Sequence, residues 1–112
     1  MEIREEKQGD VTIFGLRGRL DANSSPALEK RIQAILDRGE NRLVFDFSEV
    51  TYISSLGLRV LIVAAKNLQK MSGKIALASL ADNIHEIFKI AGFTQVFSVC
   101  QTLDEAVTYC AG

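Results

Sequence analysis

The sequence predicts an α/β fold: one domain with a mixed, mostly parallel sheet of about five strands and four helices, in the order ββαβαβαβα. Three observations predict it. Short β-branched and aromatic runs alternate with stretches of helical apolar spacing, a pattern that calls for parallel strands joined by crossover helices. The first two runs are separated only by Gln8-Gly9-Asp10, so they pair as a hairpin and give the sheet an antiparallel edge. The 112 residues, 47% hydrophobic and 24% charged, suit one domain, residues 1–112, whose core needs neither disulfide nor metal.

The elements follow in order. Glu2–Lys7 is a polar edge strand and Val11–Arg17 its hairpin partner, followed by a loop over Gly18–Asn23. Ser25 reads as an N-cap with Pro26 at the first helical position, where a missing N–H costs nothing. The helix runs to about Asp37, with Leu28, Ile32, Ile35 and Leu36 on one face. Arg42–Phe47 is nearly continuously apolar, which places it centrally with both faces covered. Ser48–Tyr52 links it to a helix from about Ser55 to Met71, which Ser72-Gly73 ends and whose last turns carry Lys66 and Lys70. Lys74–Ala78 is a buried strand. Asn83 has cap-like spacing before a short helix carrying Ile84, Ile87, Phe88 and Ile90 that stops before Gly92. Gln95–Cys100 is the last strand. Thr102 and Glu105 have capping-box spacing for a final helix to about Cys110.

Composition excludes several classes of function. A net charge of −1 with no basic stripe speaks against a nucleic-acid partner. The longest strictly apolar run, Val60–Ala65, is far too short to cross a membrane, and Met1–Lys7 has no apolar stretch of a secretion signal. A cytoplasmic address is expected, with no membrane contact. Cys100 and Cys110 read as unreactive free thiols; with one His they cannot complete a zinc site, so no metal and no cofactor is expected.

The candidate site is the junction Ser54-Ser55. Helix N-terminal N–H groups lack intrahelical partners and favour negative charge, yet the turn Leu56-Gly57-Leu58-Arg59 holds no acid and one cation. Such a turn accepts a phosphate, bound or covalent. Gly57 lets another backbone come close, and Leu56 and Leu58 form an apolar docking surface beside the serines if that turn is exposed. The bland alternative is that the serines only cap a helix.

These residues resemble the STAS domain family, in particular the bacterial anti-sigma factor antagonists. The resemblance covers essentially the whole chain. It rests on "GRLDANSSPAL" (Gly18–Leu28), on "LVFDFSEVTYISSLGLRVLI" (Leu43–Ile62) and on "AGFTQVF" (Ala91–Phe97). It implies that Ser55 is phosphorylated by a partner that is both anti-sigma factor and serine/threonine kinase, and that carries ATP and magnesium. A phosphatase then resets the switch. It further implies a partner surface of Asp21, Asn23, Ser54, Ser55, Leu56, Gly57 and Leu58, and a protein that is not an enzyme. Two positions depart from the motif. Ser54 stands where the family has Asp, which removes a carboxylate and offers a rival hydroxyl, and Leu56 replaces a second Ser/Thr.

Three rival readings are weighed against this one. A Ser-His-Asp hydrolase lacks parts: His85 is the only histidine, reads as a solvated surface residue, and Ser55 has no Gly-x-Ser-x-Gly elbow. A receiver-like domain phosphorylated on Asp46 lacks the acidic pair that holds magnesium, so Asp46 is expected to order the loop at Ser48. The third is a STAS domain serving as a phosphorylation-independent scaffold or accessory subunit, in a stressosome-like or lipid-transport complex.

Overall fold

The strands lie in the sheet in chain order: β1 (Glu2–Gln8), β2 (Val11–Leu20), β3 (Arg42–Ile53), β4 (Lys74–Ala78) and β5 (Ser98–Cys100). The computed structural model describes residues 1–111. β1 and β2 form the expected hairpin, from Glu2 opposite Arg17 to Gln8 opposite Val11. The remaining three pairings are parallel. The helices are α1 (Ser25–Asp37), α2 (Ser55–Lys70), α3 (Asp82–Ile90) and α4 (Leu103–Ala111).

Alternation along β3 and β4 divides the core between two faces, as period-2 geometry requires. Leu43, Phe45, Ile75 and Leu77 join Leu28, Ile32, Leu61, Ile84 and Phe88, so α1, α2 and α3 cover this face. Val44, Ala76 and Ala78 point the other way and pack with Ala106 and Cys110 of α4. The first face takes the bulk: Phe14 stacks on Phe45 at 5.4 Å between centroids, and Phe88 meets Phe47 and Phe97 edge-on at 6.3 and 5.7 Å. Each such fully buried ring contributes about 1.5–3 kcal/mol. Small residues on the second face let α4 lie close, and Arg42 ties it down by donating to the Cys110 carbonyl.

Pairing moves several boundaries. β3 does not stop at Phe47. Residues 48–52, expected as a link, continue the strand because Arg17–Leu20 pair with Glu49–Ile53 through two register shifts, and β2 therefore runs past Arg17 through most of the expected loop. Val50 and Ile53 are buried, which anchors the extension. β5 is shorter than expected, because residues 93–95 form a 3-10 turn in which Phe93 O accepts from the N–H groups of Val96 and Phe97. Ser24, not Ser25, precedes the first residue of α1. Ser25 is buried inside the helix and its hydroxyl donates to Asp21 O at 2.5 Å. Ala81 takes the capping position expected for Asn83, with Asp82 giving α3 its N-terminal charge. At the end of α2, Ser72 adopts φ 55°, and Gly73 is required by crowding: a Cβ there would lie 2.2 Å from Asn41 O.

Candidate functional site

Both ends of interest in the sheet exit on the same side. Leu20 pairs with Ile53, so the loop after β2 and the junction after β3 emerge together, and Leu20 O accepts from Ser54 N at 2.9 Å. Parallel α/β sheets place ligand and partner sites at this carboxyl end.

The two serines have different tasks. Ser54 is the N-cap of α2: its backbone is extended and its Oγ accepts from Gly57 N at 3.2 Å, while Ser54 O accepts from Leu58 N at 2.9 Å. A serine cap of this kind contributes about 1 kcal/mol. Ser55 is the first helical residue. It is exposed, and its hydroxyl has no hydrogen-bond partner among the described residues. The N–H groups of Ser55 and Leu56 lie in the first turn, where no intrahelical acceptor exists. No acid occupies that turn.

Gly57 is needed for a close approach, and the approaching backbone is the chain's own. A Cβ on Gly57 would lie 2.8 Å from both Cγ and O of Leu20 and 3.1 Å from Cγ1 of Ile53. The residue is buried, so it presents no surface to a partner; it seats the start of α2 on the ends of β2 and β3. Asp21, next to Leu20, orders its own loop. Its Oδ1 accepts from Asn23 N at 3.0 Å and Ser24 N at 3.1 Å, and Arg19 Nε is 3.6 Å from Oδ2. The hydrogen bond from Ser24 N, foremost, holds the Asp21 carboxyl below its ordinary range. Asp21 and Asn23 open onto a hollow shared with Met1, Ile3 and Arg19, not onto the grooves at Ser55.

Leu56 and Leu58 do not form one patch. Residues two apart on a helix point about 200° apart. Leu56, 46% exposed, lines a hollow of ≈ 420 Å³ with Pro26 and Glu29 of α1. Leu58 is half-buried against the core and lines a groove of ≈ 360 Å³ with Ser55, Ile62 and Phe93. Arg59 borders both, one turn beyond Ser55, and no carboxylate pairs with it among the described residues. The sequence reading passed over Arg59 as a member of this surface, although its i,i+4 spacing from Ser55 signals it. The ridge Ser55–Leu56–Arg59, flanked by two grooves, is what this end of the protein presents.

The remaining candidates lie elsewhere. Asp46 Oδ1 accepts from Ser48 N at 3.0 Å, the loop-ordering part expected for it. His85 is half-buried, not solvated, and lines a cavity with the second half of α2, away from Ser55. Both cysteines are free; burial pushes the Cys110 thiol up to about 11, and its Sγ lies 3.5 Å from Leu43 O. No helix among the described residues is long and apolar enough to cross a membrane.

Comparison with known proteins bears on what such a surface does. A family model for the STAS domain matches residues 2–106. BtrV of Bordetella bronchiseptica, which its name assigns provisionally to the anti-sigma factor antagonists, is 34% identical over 106 residues, covering 95% of this chain and 91% of BtrV. The anti-sigma-B factor antagonist of Listeria monocytogenes is 27% identical over 99 residues, covering 88% of this chain and 86% of that protein. The crystal structure of an anti-sigma factor antagonist from Mycobacterium paratuberculosis superposes with a TM-score of 0.90 at 26% identity, covering 99% of this chain and 94% of the other.

Proposed function

This chain belongs to the STAS domain family, and we propose that it is an anti-sigma factor antagonist whose affinity for its partner is set by phosphorylation of Ser55. The observation that carries this reading is the division between the serines. Ser54 is engaged as the cap of α2, whereas Ser55 beside it is exposed and unpartnered. A hydroxyl that contributes nothing to its own helix is free to be a substrate.

In this reading the unmodified protein docks its Ser55–Leu56–Arg59 ridge on an anti-sigma factor, which then releases its sigma factor. The partner is also a serine/threonine kinase and supplies ATP and magnesium. Ser55 Oγ attacks the γ-phosphorus, the bond to the β-phosphate oxygen breaks, ADP leaves and the hydroxyl proton is lost. The new group brings about −1.5 to −2 charges. The helix N-terminus accommodates that charge within this chain. The partner surface, fitted to an uncharged hydroxyl and Leu56, meets bulk and a charge that must be desolvated, and the complex breaks. A phosphatase restores Ser55. The protein is ligand and substrate in this cycle, and brings no catalytic group of its own.

A paired capture tests the reading. Wild type and Ser55→Asp are used as baits in lysate of the source cell, and bound proteins are identified by mass spectrometry. The expected result is an ATP-binding, kinase-like partner held by wild type and lost from the Asp bait. The same partner held equally by both would make the protein a STAS scaffold that ignores Ser55.

A further inference from the structure

The shortness of β5 leaves a gap. β4 pairs with β5 only from Ala76 onward, so Lys74 and Ile75 border the sheet edge with no strand beside them. A cavity of ≈ 880 Å³ opens there, between the second half of α2, the segment after the 3-10 turn and the end of α4. That volume lies within the range of small-molecule sites, roughly 300–1,000 Å³.

The chemistry of its walls is one-sided. Lys66, Lys74 and His85 line it and no carboxylate does, in a chain with 14 acidic side chains and 13 Lys and Arg. Gln69, Ser98 and Tyr109 add hydrogen-bonding groups. Neither lysine pairs with a carboxylate among the described residues. Lys74 is nonetheless held in place: its Nζ donates to Tyr109 O at 3.2 Å and sits 5.2 Å from the Tyr109 ring centroid. An ammonium fixed in this way, with further N–H bonds to give, loses little freedom when an anion arrives. Lys66, on the exposed face of α2, reaches the same space from another wall.

We propose that this cavity binds a small multivalent anion, a metabolite bearing phosphate or several carboxylates, and that it does so independently of Ser55. The test is a nuclear magnetic resonance titration of the full ¹⁵N-labelled chain with pyrophosphate and, separately, with citrate, at physiological salt. The expected result is saturable shifts confined to the second half of α2, the start of β4 and residues 94–99, with a Kd of about 1 mM or tighter. The tighter of the two probes identifies phosphate or carboxylate as the recognised group. Lys66→Gln weakens binding about threefold and Lys66→Gln with Lys74→Gln about tenfold. Lys70→Gln, on α2 but outside the cavity, and Ser55→Asp leave it unchanged. The inference is overturned if no saturable shift appears with either probe, if shifts spread over the whole cationic surface, or if Lys70→Gln weakens binding as much as Lys66→Gln.

Discussion

The two ends of the sheet are built on opposite terms. At the amino end of the parallel strands, Glu40 accepts from Lys7 Nζ at 2.5 Å, from Thr12 Oγ1 at 2.9 Å and from Arg38 Nε at 2.9 Å. Every group there has a partner in the chain, and these bonds, led by that from Lys7, hold the Glu40 carboxyl down to about 2. At the carboxyl end, Ser54 is satisfied, but Ser55 and Arg59 are not paired, and Leu56 is 46% exposed. The difference teaches where folding ends and recognition begins. A polar group already satisfied by its own chain stabilises the fold; an exposed, unsatisfied one beside an uncovered apolar side chain is available to a partner.

The comparison is broken most forcefully at Ser55. Ser55→Asp lowers affinity for the anti-sigma factor partner by about a hundredfold or more, by desolvation and misplaced charge, while its melting stability stays within about 0.5 kcal/mol of wild type. Ser55→Ala binds constitutively, and calorimetry against the purified partner reads both. Gly57→Ala acts on the fold instead. The added Cβ collides with Leu20 O, a backbone atom that cannot step aside, and costs about 2 kcal/mol in urea denaturation. Ser54→Ala removes the cap and costs about 1 kcal/mol, yet leaves Ser55 open to the kinase, which sharpens the separation of the two serines.

Glu40→Gln probes the opposite end and has the smallest effect. It keeps an acceptor for Thr12 but loses the charge facing Lys7 and Arg38, at about 0.5–1 kcal/mol near neutral pH. The Glu40 pKa is lowered on folding, so its stabilisation is complete above about 4.5 and is lost as pH falls toward about 2. The variant therefore loses less stability than wild type over that window, as acid titrations followed by circular dichroism will read. Partner binding is unchanged.

Much of this was legible in the sequence, and the exceptions have physical causes. Element order followed from periodicity and from the punctuation at Pro26, Ser72-Gly73 and Gly92. The two-faced burial of β3 followed from its unbroken apolar run. Its true length did not, because Ser48–Ile53 becomes strand only where Arg17–Leu20 lie alongside, a tertiary pairing that no local pattern encodes. Asn83 carried the better cap chemistry, but the turn starts one residue earlier, at the exposed Asp82. At the site, the motif located both serines and could not divide their labour. A shift of one residue decides which hydroxyl reaches Gly57 N. Leu56 and Leu58, adjacent on paper, separate once the helix turns by about 100° per residue.

The division between Ser54 and Ser55 is the central claim, and intact-mass spectrometry after incubation with the purified kinase partner and Mg-ATP tests it most directly. The account predicts one phosphoryl group on wild type and on Ser54→Ala, mapped to Ser55, and none on Ser55→Ala. A phosphoryl group mapped to Ser54, or full modification of Ser55→Ala, would contradict it.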